Sequence, residues 1–428
     1  MDTNSQLNTG LTESLLQVNQ LSYKLPPQIS IASKCTHVIN YSQQASYSGG
    51  ETIIFDSQTG SQFVDPANSY LRLVVKPDDS AHGFGSGSVN NIFSRVVVRT
   101  QTGAELSRCE DYNLLNKFME RYNNSTAWFD SVGVAQGFDK EATSAGVYSS
   151  AIPATGRLYV VPVQCLMACM NPIGAKLVPP NIMSGLRIEL SLAGADDAFS
   201  SVNQGSPLTL ASYVVERPEM HWKVFELADQ FQRKIQEMAA QGLNYLYKET
   251  FHTIVSTTTS DINFDIKKAA SKALTCRIIT RDPTLLAAVG RDKFAAKVYN
   301  YETLQANIGS DYWPNQKLQV TSTPTLNNIN EAYYYTLYAA DKLEGWAPPS
   351  IGPVQFLGAA NFTRYNSGMV CFNLNKSNVS ELAGYTTSNS RALLVNLKQH
   401  SADAVRIDAY LTYLRLAKIM TSNTVVLD

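Results

Sequence analysis

Charge is scarce in this chain. Only 17% of its 428 residues are charged, against about a quarter in an ordinary soluble protein. The two signs nearly cancel: 35 lysines and arginines face 36 aspartates and glutamates, for a net charge of -1. A protein that grips nucleic acid through its phosphates needs a basic excess. No run of lysine and arginine supplies one here, so sequence-specific nucleic acid binding is not expected. Long apolar runs are missing too, and nothing approaches the ~18 residues of a transmembrane helix. The opening MDTNSQLNTGLTESLLQ has no basic stretch followed by an apolar one. The expectation is a protein made and assembled inside the cell and not secreted. On that reading the sequons at Asn40, Asn123, Asn124, Asn361, Asn375 and Asn378 are chance matches in an Asn-rich chain.

Signatures of chemistry are equally sparse. The six cysteines (Cys35, Cys109, Cys165, Cys169, Cys276 and Cys371) are scattered. Only Cys165 and Cys169 lie close, and a lone C-x3-C without a second pair or a nearby histidine is a poor metal signature. Buried free thiols are expected. His37, His82, His221, His252 and His400 stand far apart, none in an H-x3-H or H-E-x-x-H context. There is no G-x-S-x-G elbow and no Walker loop. Gly83-Phe84-Gly85-Ser86-Gly87 precedes strand-like sequence, whereas a phosphate cradle needs a helix behind it; it reads as a flexible turn. Asp78-Asp79, Glu110-Asp111 and Asp196-Asp197 read as water-facing turn residues, not as a glycosidase pair or a calcium loop. No residue is therefore assigned a catalytic, cofactor-binding or metal-ligating role, and no enzymatic activity or cofactor is expected.

What the chain does have is strand patterning. Apolar residues make up 44%. Thr52–Phe55, Ser69–Lys76, Ile92–Arg99, Leu158–Val163 and Leu186–Leu192 read as strands, the last with strict alternation. Pro162 suits an edge or a bulge. Asn123–Gly156 reads as a long polar loop. Phe225–Gln241 then shows helical spacing at Leu227, Phe231, Ile235 and Met238, with Gly242 as a stop. Strand patterning resumes at Tyr247–Val255, Ala273–Thr280, Met369–Leu374, Ala392–Lys398 and Val405–Leu416. Tyr333–Tyr338, the densest aromatic patch, is β-prone and suits sheet or subunit packing better than stacking on bases or sugars.

The two halves repeat one another. Tyr70–Asp78 aligns with Leu274–Asp282, Leu186–Leu190 with Leu393–Leu397, and Val214–Leu227 loosely with Ile407–Met420. Many strands with long, irregular connections point to jelly rolls instead of a propeller. The expected fold is all-β: two tandem eight-stranded jelly-roll β-sandwiches joined by a short helical linker. The expected divisions are an N-terminal arm at 1–38, a first roll at 39–226, the linker helix at 227–242 and a second roll at 243–428.

At this point the chain resembles the double jelly-roll major capsid proteins of polinton-like viruses, adintoviruses and virophages. The resemblance rests on Gln62–Leu71, on Gly87–Val98, on Leu177-Val178-Pro179-Pro180 followed by Gly185–Ala193, and on the helix ending at Gln241-Gly242. It implies a homotrimer forming a pseudo-hexagonal capsomer, which meets neighbouring capsomers, penton proteins and minor capsid proteins in the icosahedral shell of a DNA virus. It also implies an N-terminal arm directed to the shell interior, a neighbour or an inner membrane, and outward loops at 123–156 and about 310–365. The competing expectation is a carbohydrate-binding β-sandwich, such as a viral spike, a lectin or a glycosidase-like protein.

Overall fold

The computed structural model describes residues 32–57, 59–138, 151–174, 176–202, 207–240, 242–296, 298, 301–320, 330–340, 349–357, 367–375, 384–388, 391–419 and 425–427. Among the described residues, eight main strands build the first half, with short strands at Ser46–Ser48, His82–Gly83 and Ser200–Ser201 beside them: β1 (Ala32–Tyr41), β2 (Thr52–Asp56), β3 (Phe63–Pro77), β4 (Phe93–Arg99), β5 (Glu105–Glu110), β6 (Arg157–Pro162), β7 (Arg187–Leu192) and β8 (Tyr213–Leu227). They form two antiparallel sheets, ordered β1-β8-β3-β6 and β2-β7-β4-β5. Eight more main strands build the second half, with short strands at Tyr385–Thr387 and Val425–Leu427 beside them: β9 (Leu243–Thr257), β10 (Asp261–Ile266), β11 (Ala270–Arg281), β12 (Tyr301–Ile308), β13 (Asp311–Gln319), β14 (Met369–Asn373), β15 (Leu393–Gln399) and β16 (Val405–Ile419). Their sheets run β9-β16-β11-β14 and β10-β15-β12-β13. The order is the same in both halves: first, eighth, third, sixth; then second, seventh, fourth, fifth. Each half is a jelly roll, and the duplication lies in the topology itself.

Side-chain alternation explains how each roll closes. Along β3 the even positions Tyr70, Arg72, Val74 and Lys76 are half-exposed, while Leu71, Leu73 and Val75 are buried. Met220, Trp222 and Val224 of β8 lie in the same core, with Tyr159 and Val161 of β6. In the second roll Thr280 of β11 bonds Tyr301 of β12 across the sandwich, so Thr280 faces inward and its neighbours Ile279 and Arg281 face outward. The repeat alignment pairs Thr280 with Lys76, which faces outward beside Glu216. It is therefore one residue out of register, and such a slip inverts every side chain. Leu186–Leu190 and Leu393–Leu397 do correspond, since Ile188 and Val395 are both core residues.

Among the described residues there are three longer helices: α1 (Tyr112–Asn123), α2 (Asp229–Ala240) and α3 (Asn330–Ala339). α2 lies between the rolls where a helix was expected, but Phe225 and Leu227 belong to β8, and the helix begins at Asp229. Residues 32–38, expected in the arm, pair with β8 as part of β1; residues 1–31 lie outside the described residues. Tyr333–Tyr338 is helical, not a strand. Its buried positions Ala332, Thr336, Leu337 and Ala339 follow helical spacing, and that one-sided burial overrides the β preference of tyrosine. The expected outward loops hold structure as well. Thr126–Phe129 and Val132–Gln136 are short helical turns, carrying a small aromatic cluster of Trp128, Phe129 and Phe138. Residues 311–319 are β13 and 353–357 a helical turn; 139–150, 321–329, 341–348 and 358–366 lie outside the described residues.

Candidate functional site: the seam between the two rolls

The most elaborate chemistry in the described residues is where one roll meets the other. α1 follows β5 of the first roll, yet Leu114, Leu115, Phe118 and Tyr122 are buried in the core cluster of the second. The Tyr122 hydroxyl donates to the Ser367 carbonyl at 3.1 Å and accepts from the Met369 amide at 3.2 Å. Lys117 Nζ donates to the carbonyl of Phe294. In return, Tyr245, Tyr247, Ala417 and Ile419 of the second roll sit in the core cluster of the first, and the Tyr245 hydroxyl donates to the Cys169 carbonyl at 2.6 Å.

An ion cluster pins the start of α1. Asp111 adopts a left-handed backbone, φ 44° and ψ 44°, which aspartate tolerates better than most residues. Its carboxylate accepts from Arg406 Nη2 at 2.7 Å, and its carbonyl accepts from the Tyr410 hydroxyl at 3.0 Å. Asp408, fully buried, holds Arg281 at 2.8 Å, His252 at 3.1 Å and Arg406 at 3.3 Å. Burial would raise the Asp408 carboxyl, but the His252 hydrogen bond and the Arg281 and Arg406 charges outweigh it and hold it below its ordinary value. Asp111, His252 and Asp408 bring ligand atoms within 4.8 Å of one another. The two guanidiniums already neutralise these carboxylates, so the donor set suits an arginine–carboxylate lattice and not a metal.

A second polar group backs α1. Glu120 accepts from Ser88 Oγ at 2.9 Å and Asn90 Nδ2 at 3.0 Å. Burial pushes its carboxyl up to about 7 and pushes the Lys117 amine down to about 7. Arg121 donates to the Ser86 carbonyl at 2.6 Å, while the Ser86 amide donates to Asp292 of the second roll at 3.0 Å. Glycine is required here: a Cβ at Gly85 would stand 2.6 Å from Ser200 Oγ, and one at Gly87 would stand 2.1 Å from Asn91 Oδ1. Gly83–Gly87, expected as a flexible turn, is thus a buried joint. At a third contact Lys293 reaches Asp196 at 2.6 Å and Asp197 at 2.9 Å. Two of the three acidic pairs read as water-facing, Glu110-Asp111 and Asp196-Asp197, therefore lend carboxylates to the seam. The third does not: Asp79 accepts from the His82 ring at 2.7 Å within the first roll. A cleft of about 370 Å³ runs along the seam beside Ser94, Asn113, Arg281 and Arg406.

The remaining expectations divide. All six cysteines are free thiols; Cys169, Cys276 and Cys371 are buried, but Cys35 and Cys165 are exposed. His82 and His252 are enclosed and hydrogen-bonded. No described helix is long and apolar enough to cross a membrane. Sequence reasoning overlooked α1, although Tyr112, Leu115, Phe118, Met119 and Tyr122 recur at helical spacing on one face, the signal that could have found it.

This arrangement, two jelly rolls of one strand order locked by a shared helix, defines the double jelly-roll fold. No family model matches the chain, and no curated protein matches its sequence. Solved structures do. The chain is similar to the PBCV-1 virus capsid protein of a quasi-atomic model (TM-score 0.61, 9% identity, 95% of this chain and 98% of that one). It is similar to the Faustovirus major capsid protein (0.55, 8%, 94% and 94%). It is also similar to the mavirus major capsid protein (0.53, 10%, 95% and 92%). The likeness spans both rolls and establishes the fold.

Proposed function

We propose that this chain is the major capsid protein of an icosahedral DNA virus. The observation that carries the reading is the end-to-end match of both rolls, in one order, to viral capsid proteins. The fold suits a shell subunit, because two rolls per chain give a trimer six similar blocks, and six blocks fill a hexagonal outline. On this reading the protein acts through its surfaces as a homotrimer and then through contacts between capsomers, with penton and minor capsid proteins completing the shell. Its place is the virion. It performs no catalysis and takes no cofactor, and the seam residues Asp111, Asp408 and Glu120 serve rigidity. The N-terminal arm faces the shell interior, a neighbour or an inner membrane. The near-zero charge suits a shell that encloses a genome without gripping it.

The test is the native mass of the purified chain by light scattering, with electron micrographs of the same peak. A particle of three chains with a hexagonal outline is expected. A stable monomer would overturn the reading.

A further inference from the structure

α1 is caught between the two rolls, and ten of its twelve residues are buried. Lys117 and Glu120 stand one turn apart on it and face opposite ways. Lys117 Nζ donates to the Phe294 carbonyl of the second roll. Glu120 Oε1 accepts from Ser88 and Asn90 of the first. On an exposed helix a lysine and a glutamate at this spacing attract each other. Here each is turned to a different roll, and neither neutralises the other.

No counter-charge meets either group directly. Glu120 Oε2 is buried and accepts no hydrogen bond. The charge that acts on Glu120 is Arg121, whose guanidinium donates to the Ser86 carbonyl. Tyr112 and Cys165 also face it; burial of the hydroxyl and of the thiol raises both, so neither is charged near neutral pH. Lys117 feels Asp292 of the second roll, opposed by Arg121 and Arg281. Burial therefore keeps Glu120 protonated up to about pH 7 and lets Lys117 lose its proton above about 7. In water both groups would be charged at neutral pH. The closed seam favours neither charge.

We infer that α1 is a detachable latch between the rolls, held least firmly at neutral pH and more firmly on either side of it. The helix lies outside the sheets, in the connection between β5 and β6, so it can leave without dismantling either sandwich. Release uncovers Leu114, Phe118 and Tyr122, which keeps the closed form dominant at every pH. What pH sets is how often the latch opens. Between pH 4.5 and 7 the closed latch holds a proton on Glu120 that the open one gives up, so raising the pH favours opening. Between pH 7 and 10.5 the open latch takes up a proton on Lys117 that the closed one lacks, so raising the pH favours closing. The rolls are freest to adjust to one another where the two trends meet.

Hydrogen exchange of the full chain from pH 5 to 9, with intrinsic exchange rates divided out, tests this. Protection of residues 112–123 is expected to pass through a minimum near pH 7 and to be at least about tenfold greater at pH 5 and at pH 9. Glu120→Gln, which keeps the shape, should remove the rise on the acid side alone. Lys117→Met should remove the rise on the alkaline side alone. Glu249→Gln is the control: that carboxyl is buried at another point of the seam, against Ser107, and its loss should leave both rises in place. A flat or one-directional pH profile for α1 in the unaltered chain overturns the latch. So does protection of α1 that equals that of β3 and β11 at every pH, since the helix then opens only when the whole chain unfolds.

Discussion

The carboxylate of Asp111 meets Nη2 of Arg406 at 2.7 Å, although the two residues stand 295 positions apart in the chain. The first belongs to the turn that launches α1 from the first roll, the second to a strand of the other roll. The left-handed backbone of Asp111 also carries the carbonyl that accepts from the Tyr410 hydroxyl, so its geometry and its charge both serve the seam. Asp111→Asn keeps the shape and removes the charge. Both partners are partly exposed, with side-chain accessibilities of 34% and 28%, so screening limits the loss to about 1 kcal/mol. Chemical denaturation at low and high salt checks this, and a salt-independent difference would contradict it.

Asp408 is a harsher case. It is fully buried and holds Arg281, Arg406 and His252 together. Asp408→Asn leaves two guanidiniums facing each other without their shared counter-charge. The expected cost is about 3 kcal/mol or more, since breaking a buried pair strands an uncompensated charge. Denaturant midpoints of the variant and wild type measure it directly, and a loss no larger than that of Asp111→Asn would show that Asp408 is not the hub.

Gly290 tests steric fit at the seam. Its φ is +65°, and an added Cβ would lie 2.2 Å from the carbonyl oxygen of Leu208 in the other roll. Backbone cannot step aside as a flexible side chain can. Gly290→Ala is expected to destabilise by about 2 kcal/mol or more through strain and the forced shift. Thermal unfolding reads this, with Gly103→Ala as the control: Gly103 also has positive φ, but nothing lies near its Cβ position.

Glu120 makes stability depend on pH. Burial raises its carboxyl from 4.5 to about 7 in the folded chain, and burial does the same to Glu249. Between pH 4.5 and 7 the folded state therefore binds more protons than the unfolded state, and stability falls as pH rises through that window. Lys117 acts above it: lowered from 10.5 to about 7 by burial, it makes stability rise with pH from 7 to 10.5. Glu120→Gln removes the first effect at one site. Relative to wild type, the variant should gain on the order of 1–3 kcal/mol between pH 4.5 and 8. Urea titrations across that range decide it, and a difference that stays flat would mean that Glu120 does not carry the pH dependence.

Much of the fold was legible because period-two alternation survives wherever one strand face is buried. Leu186–Leu192 and Ser69–Lys76 show it clearly, and both are strands. β1, β5, β10, β12 and β13 were not anticipated. β13 reads DYWPNQKLQ and is mostly exposed, so neither face imposes an apolar pattern. Tyr333–Tyr338 misled because tyrosine favours strands, while the helix is set by burial against β14 that only the tertiary structure supplies. The seam was invisible for a related reason. Its charged residues look like turn residues, and their partners lie hundreds of positions away. The glycines of Gly83–Gly87 were the one local sign, and close packing rather than flexibility is what they reported.

Phe118 bears on whether the two rolls behave as one body. It is a first-roll residue, fully buried in the second roll's core. If each roll were an independent folding unit, removing this side chain would weaken only its contact with the second. The reciprocal burial of Tyr245 and Tyr247 in the first core argues otherwise, because neither core is complete without the other half of the chain. Phe118→Ala should cost about 3–5 kcal/mol, as large-to-small core changes do. It should also lower the unfolding midpoint of both rolls together in a single transition with an unchanged denaturant slope. Hydrogen exchange on the variant would then show equal loss of protection in β3 and β11. Two separated transitions, with β3 unaffected, would mean that the rolls are joined only by contact and that the seam does not make the chain one rigid block.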